Sequence, residues 1–521
     1  MKRTYTYSVN GKQVEREYGY IPVRYILAIM MTTLSVLAVI AIVAVLCYLI
    51  PYFYLAAYAT WIYVIIRIAA SDDNPDYKAP WLLVVMLVPI GGFMLYFMFY
   101  SRTLEKKFVK RLRALEGIGY GRDCTELLAE LKESDPVAYG QIKMLCELSG
   151  SCAFTDTAQE YFPSGEAMLE RLLPDLESAR NFIYMEYFII EEGKFWNSIL
   201  EVLKRKAASG VEVKLIFDDI GCMSTLPGDY SKQLSAFGIE ATPFSRLRGN
   251  ADSEFNNRSH RKITVIDGRV GYTGGINLAD EYINEIVRFG HWKDTGIRIE
   301  GEAVRELTRL FLFDFGINVK ELPTLRADLY PECERTGAEG IVVPFGDGPR
   351  PIYERRVGKS VIENMLVSAT DHVYMTTPYL IPDSELCSAI ENAALRGVDV
   401  KIIVPHIPDK RLVLEMTRSF YGRLMAAGVE IYEYERGFIH AKSYVADGKY
   451  AMIGTINLDY RSLVHNFENG VFLYGAESIG AISEDIQATL DESIRITEDM
   501  LKVGFFTRAL RAVLRIFSPM M

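Results

Sequence analysis

The chain has little of what staples a small domain together. Among 521 residues there are seven cysteines (Cys47, Cys124, Cys146, Cys152, Cys222, Cys333 and Cys387), none in a C-x-x-C pair. An odd number cannot all pair internally, so neither a disulfide framework nor a cysteine zinc site is expected. Histidine is scarcer still, at six residues. A basic excess is also missing: 57 Lys and Arg against 67 Asp and Glu leave a formal net charge of -10. That balance argues against a general nucleic-acid binder, whose footprint is basic.

Apolar residues are concentrated at the front. Tyr25 to Leu49 contains no charged residue, and as a helix rising about 1.5 Å per residue it would cross a hydrocarbon core of about 30 Å. The run exceeds the apolar core of a secretory signal, so a retained span is expected. A second apolar stretch follows Pro51, and a third, containing Pro89, Gly91 and Gly92, follows the polar SDDNPDYK. The expectation is a membrane region over 1–113 with two or three spans, near 25–49, 52–69 and 80–100, in a multi-pass cell-membrane protein. Lys2, Arg3, Lys12, Arg16 and Arg24 precede the first stretch, and Arg102, Lys106, Lys107, Lys110, Arg111 and Arg113 follow the third. Both flanks therefore ask for the cytoplasm, which three full crossings cannot grant. The second basic flank places the rest of the chain on the cytoplasmic face.

Beyond about residue 150, short β-branched runs alternate with helical patterns, the mark of an α/β fold. The pattern occurs twice. Ala208-Ser-Gly-Val-Glu-Val-Lys-Leu-Ile-Phe217 is echoed by Leu395-Arg-Gly-Val-Asp-Val-Lys-Ile-Ile-Val404, and Phe237-Gly-Ile-Glu240 by Ala427-Gly-Val-Glu430. Each echo reads as a helix end, a glycine stop and a buried strand. The expected organisation is two pseudo-symmetric halves, 114–325 and 326–498, with a Pro- and Gly-rich linker near 318–350. A tail over 499–521 follows, in which Arg508, Arg511 and Arg515 stand at helical spacing against Leu510, Val513, Leu514 and Phe517. Such a basic amphipathic helix suits an anionic membrane surface.

Two of the six histidines open matching motifs. His260-Arg-Lys262-Ile-Thr-Val-Ile-Asp267 leads to Gly274-Gly-Ile-Asn277, and His440-Ala-Lys442-Ser-Tyr-Val-Ala-Asp447 leads to Gly454-Thr-Ile-Asn457. Residues two apart on a strand share a face, so each imidazole stands with an ammonium. An imidazole can attack phosphorus while a lysine holds the phosphoryl oxygens. Asn277 and Asn457, beside glycine-containing turns, are candidate phosphate donors. Asp267 and Asp447 precede glycine and read as β-turn residues between strands, structural rather than chemical.

The doubled HxKxxxxD pattern resembles the phospholipase D superfamily. NNRSHRKITVIDGRVGYTGGINLADEY, HWKDTGIRIEG, TTPYLIP and NLDYRS…NFENG, with the N-terminal DNPDYKAPWLLVVMLVPIGGFMLYF, most resemble Gram-positive-type cardiolipin synthases. The likeness covers nearly the whole chain. It implies two α/β/α sandwich halves sharing one cleft behind N-terminal transmembrane helices. A histidine of this kind needs its second ring nitrogen held by an acceptor. The resemblance assigns Asp294, 34 residues past His260, to the first half and Glu468, 28 past His440, to the second. The aromatic strands Tyr184-Met-Glu-Tyr-Phe188 and Met375-Thr-Thr-Pro-Tyr379 border the cleft in the family; Glu186, Tyr187 and Tyr379 are thus headgroup candidates, with core packing the stronger reading.

The implied reaction is phosphatidyl transfer. One phosphatidylglycerol gives its phosphatidyl group to a histidine and releases glycerol; a second takes the group, making cardiolipin. The resemblance favours His260 as nucleophile and His440 as general acid and base. The less hindered Gly274-Gly275 turn, set against Gly454-Thr455, agrees with this. No metal or organic cofactor is implied, and the partners are phosphatidylglycerol and other anionic lipid. The motifs leave the acceptor open: water would make the protein a hydrolase, and another alcohol a different phosphatidyltransferase. A superfamily nuclease is disfavoured by the apolar front and acidic balance.

Overall fold

The computed structural model describes residues 3–9, 12–18, 23–50, 52–71, 74–88, 91–92, 95–96, 124–246, 257–319, 323 and 326–520. The first half is a seven-stranded mixed sheet. Its order across the sheet is Ala158–Phe162, Gly296–Glu300, Val270–Gly274, Ile263–Ile266, Phe182–Tyr187, Glu212–Asp218 and Ile239–Phe244. The last three are parallel and the others join antiparallel. The second half repeats the order with Ile341–Asp347, Glu468–Tyr474, Tyr450–Gly454, Ser443–Ala446, His372–Thr376, Asp399–Pro405 and Glu430–Tyr434, then adds Ser493–Arg495 at the edge. The duplication read from the sequence is therefore a duplication of topology.

Local chemistry explains the repeat's landmarks. Every residue of Phe182–Tyr187 is buried, as expected of a central strand covered on both faces. The helix Lys194–Ala208 stops before Gly210, and Ser384–Leu395 before Gly397. Both glycines have φ +93°, a left-handed conformation that a side chain resists.

Helices cover each sheet on its outer face, where Leu172, Trp196 and Ile199 fill one core and Val361, Leu386 and Ile390 fill the other. Between the sheets lies a third, shared core. Ile263, Val265 and Ile297 meet Val445, Ile453 and Val471 there, with Phe311 from the helix Val304–Asn318 and Ile482 from Ser478–Asp491. Burying this much apolar surface between the halves fixes their relative placement. The helices Thr125–Ser134 and Pro136–Ser149 fall inside the expected first half, ahead of its sheet, yet they pack on the second: Gln141 Nε2 donates to Ser368 Oγ at 2.6 Å and Tyr474 Oη to Asp135 Oδ2 at 2.8 Å.

At the front, the strands Arg3–Val9 and Lys12–Tyr18 form a hairpin. The helices Val23–Leu49, Phe53–Ala69 and Pro75–Leu87 follow. Ile26, Met30, Leu34, Leu37, Ile42 and Val45 are all exposed on the first helix. Among the described residues no helix is long and apolar enough to cross a membrane; the 27-residue helix Val23–Leu49 includes side chains outside that set. The third expected span is not one described helix, because the helix starting at Pro75 ends at Leu87. Residues 89–90, 93–94 and the basic stretch 102–113 lie outside the described residues. Pro75–Leu87 is tied to the second half: Asn74 Nδ2 donates to Asp383 Oδ2 at 3.0 Å, and Asp76 Oδ2 accepts from the Ser384 backbone N–H at 2.6 Å and from Tyr460 Oη at 3.2 Å.

Candidate active site

Two short pairings between the halves build the site. The strand Gly437–Ile439 runs parallel to His291–Lys293, with Ile439 opposite Lys293. The next residues, His440 and Asp294, are thereby set side by side. Ser259 bridges Phe467 in the same parallel sense, which sets His260 beside Glu468. The regular ladders begin only at Ile263 and Ser443, so each His-x-Lys segment is the lead-in to a strand rather than its interior.

Each histidine is consequently held by the opposite half. His260 Nδ1 lies 3.0 and 2.9 Å from the two Glu468 carboxylate oxygens, and His440 Nδ1 lies 2.7 Å from Asp294 Oδ2. The within-half assignment drawn from the resemblance is corrected: the 34- and 28-residue offsets are not comparable distances, since each acid serves the other motif. With Nδ1 engaged, each imidazole keeps Nε2 for chemistry.

The lysines complete a cationic cluster. Lys262 Nζ donates to the His260 carbonyl at 2.7 Å, and Lys442 Nζ makes the same bond to the His440 carbonyl. All four side chains are nearly fully buried. Burial first, then repulsion from Lys442, lowers Lys262 to about 7; burial lowers Lys442 to about 8. Burial likewise pulls His260 down to about 4, although Glu468 opposes the change, and it takes His440 well below the usual imidazole value, with help from both lysines. Buried cations held this close are stabilised by an anion between them.

The two ends differ in how the acid is held. Glu468 accepts from Thr455 Oγ1 and from Asn466 Nδ2 at 3.2 Å as well as facing His260. Burial pushes its carboxyl up, but His260, Lys262 and Thr455 together hold it below the usual value. Asp294 accepts the Thr295 backbone N–H at 2.8 Å, and burial raises it to about 7. Gly275 belongs to this arrangement, because a Cβ there would stand 2.0 Å from Asp294 Oδ1. The space expected to make the first turn less hindered is filled by that carboxylate. Thr455 in turn points its hydroxyl at Glu468.

The remaining expected site residues are placed as follows. Asn277 Oδ1 accepts the Ile189 backbone N–H at 3.0 Å, and its Nδ2 donates to Tyr282 Oη at 2.7 Å. Asn457 Nδ2 donates to Asp459 Oδ2 at 3.0 Å. Each amide nitrogen has a second hydrogen to offer. Asp267 accepts from the backbone N–H groups of Arg180, Asn181 and Phe182, and Asp447 from those of Thr370, Asp371 and His372, all within 3.0 Å. Both are tie points between strand ends. Glu186 is fully buried, accepting from Ser259 Oγ, and Tyr187 bonds Thr264 Oγ1 at 2.8 Å. Both are core residues. Tyr379 Oη donates to Asp409 Oδ2 at 2.7 Å.

Several supporting residues went unread in the sequence. Arg258, buried, grips Asp218 through Nε at 3.1 and 3.0 Å, and Arg261 donates to Asp314 Oδ2 at 2.7 Å, so charged braces stand on both sides of His260. In the corresponding positions around His440 are Phe438, Ile439 and Ala441. The rings of Tyr282, Trp292 and Phe438 stand 5.6, 5.7 and 5.9 Å from the His440 ring. Arg258 lies within the quoted NNRSH, but nothing in the sequence names its partner. Away from the cleft, Glu363, Asp383 and Glu385 lie within ligand reach of one another, and the Lys359 ammonium already bridges them, 2.6 Å from Asp383 Oδ2.

A duplicated α/β fold with two buried histidine–lysine pairs, one from each half and within electrostatic reach of each other, defines a phosphoryl-transfer protein of the phospholipase D type. The family described as "Cardiolipin synthase, PLD-like domain" matches residues 172–308 and 362–490, and "Phospholipase_D-nuclease N-terminal" matches 59–99. An uncharacterized protein from Streptococcus mutans is 40% identical over 448 residues, 85% of this chain and 96% of that one. A cardiolipin synthase from Alkalihalophilus pseudofirmus is 34% identical over 467 residues, 88% of this chain and 92% of that one. Phosphatidylserine synthase from Haemophilus influenzae shares the fold, with a TM-score of 0.55 at 16% identity over 73% of this chain and 98% of that one. The chain belongs to the cardiolipin synthase family of the phospholipase D superfamily.

Proposed function

We propose that the protein is a cardiolipin synthase that moves a phosphatidyl group from one phosphatidylglycerol to another. The observation that carries this reading is the crossed pair of histidine–carboxylate contacts, His260 with Glu468 and His440 with Asp294, beside two buried lysines. The lysine charges draw the phosphodiester between the halves. His260 Nε2 attacks phosphorus, the bond to the glycerol oxygen breaks, and His440 Nε2 gives that oxygen its proton. The hydroxyl of a second phosphatidylglycerol then yields its proton to His440 and attacks phosphorus, and the P–N bond to His260 breaks.

The unequal acids support these roles. Glu468, kept ionised by His260, Lys262 and Thr455, fixes one tautomer of His260 and leaves Nε2 a lone pair, as a nucleophile requires. Asp294, raised to about 7, shares a proton with His440 near neutrality, so this pair acts as a proton reservoir. Lys262, Lys442, Asn277 and Asn457 hold the phosphate oxygens. Asp267 and Asp447 set the strand ends behind the motifs.

The uncharged run Tyr25–Leu49, with Ile26, Met30, Leu34, Leu37, Ile42 and Val45 exposed on its helix, is the proposed anchor in the cell membrane. The basic stretch 102–113 supports a cytoplasmic active site. Incubating the purified protein with labelled phosphatidylglycerol in vesicles tests the reading. Cardiolipin and free glycerol are expected; phosphatidic acid without cardiolipin would overturn it in favour of water as acceptor.

A further inference from the structure

The tail forms a helix over Phe505–Phe517, flanked by 3-10 turns at Glu498–Leu501 and Ser518–Met520. Two of its three arginines turn toward the protein. Arg511 Nε donates to Glu415 Oε2 at 2.8 Å, and the Arg515 guanidinium lies over the Phe420 ring at 4.8 Å. Leu514 packs against the core of the second half. This inward face seats the helix on Arg411–Ala426. The outward face is apolar: Phe505 is 76% exposed, Phe506 86%, Leu510 43%, Val513 51% and Ile516 47%, with Ala509 and Ala512 between them. At about 100° per residue these side chains form one continuous arc, with exposed Arg508 at its edge.

We propose that this outward arc lies in the lipid interface, making the C-terminal helix a second membrane contact of the catalytic region. The occupant is a bilayer rather than a second protein, because the helix that carries the arc packs against the apolar N-terminal helices. The turn Ser518–Met520 and the helix itself pack against Pro75–Leu87, which packs in turn on Phe53–Ala69. Trp61 Nε1 donates to the Val85 carbonyl at 2.8 Å across that second contact. At 13 residues the helix is about 20 Å long, too short to cross and suited to lying in the plane. Arg511 and Arg515 act as inward rivets, and Arg508 meets the anionic headgroups. The inference rests on the membrane-embedded reading above and adds that the two halves are held at the surface from both chain ends.

Photo-crosslinking on the full chain, reconstituted in phosphatidylglycerol and phosphatidylethanolamine vesicles, tests it. A benzoyl-phenylalanine is placed in turn at Phe506, at Val513 and at Lys502, whose side chain is 79% exposed outside the helix. Lipid adducts at 506 and 513 but not at 502 are expected. Protein–protein adducts at 506 and 513, or no adduct there beyond that at 502, would overturn the proposal while leaving cardiolipin formation by the same preparations intact. Phe506→Asp with Val513→Asp keeps the rivets and should lower turnover of vesicle substrate about tenfold, with turnover of detergent-dispersed substrate unchanged. An equal loss in both would also overturn it.

Discussion

His260 and Glu468 stand 208 positions apart in the chain and 2.9 Å apart in the molecule. Neither half can therefore orient its own histidine. Glu468→Gln replaces an acceptor-only carboxylate by an amide that can donate to Nδ1 and favour the wrong His260 tautomer, and should lower kcat by roughly a thousandfold or more. Because the two act as one unit, His260→Ala with Glu468→Gln should be no worse than His260→Ala alone. Steady-state kinetics of the four-member cycle checks this; the same non-additivity between Glu468 and His440 would restore the within-half pairing.

Gly275→Ala should disable the other pair. A Cβ 2.0 Å from Asp294 Oδ1 must displace the carboxylate or the turn, and misplacing a catalytic partner by about 1 Å can lose 100-fold in rate. Thr455→Val, at the matching position, should lose about 10- to 100-fold by removing a donor to the charged Glu468. Thr455→Ser should restore most of it. Full activity of Gly275→Ala would mean that Asp294 does not need its observed place.

The pH profile follows from the buried lysines. Each is lowered, Lys262 to about 7 and Lys442 to about 8, so each is a cation below that value and neutral above it. Attraction for the phosphodiester is thus present at lower pH and lost as pH rises through this window. kcat/KM should fall on the alkaline side from about 7 to 8, and on the acid side as His260, lowered to about 4, takes up a proton. A bound anion raises the lysines, so the alkaline limb of kcat should lie higher than that of kcat/KM. Lys262→Arg should move the alkaline limb upward; an unmoved limb would remove Lys262 from the titration.

Asp447→Ala should act on stability. Three backbone N–H groups lose their acceptor, a loss of about 1–3 kcal/mol. Thermal unfolding should show a lowered midpoint. A normal midpoint with abolished activity would assign Asp447 to the chemistry.

Much of this was legible in the sequence because the repeat is written in short-range signals. The glycine stops at Gly210 and Gly397, the apolar strands and the two motifs all depend on neighbours within a few residues, and the structure repeats their order. The acids Asp294 and Glu468 were also readable as site residues. Their exchange between halves was not, since it depends on the Ile439–Lys293 and Ser259–Phe467 registers, which join strands distant in the chain. Which face of the tail turns to the protein was not legible for a related reason. Amphipathicity defines two faces but not which one the protein occupies, and here Glu415 and Phe420 claim the basic side.

The central claim is that His260 carries the phosphatidyl group while His440 moves protons. Its most direct test is mass spectrometry of acid-labile adducts after brief incubation of each variant with phosphatidylglycerol. In His440→Ala the resolution step lacks its base, so a phosphatidyl adduct should accumulate on His260; His260→Ala should form none. An adduct on His440 in the His260→Ala protein would contradict the assignment.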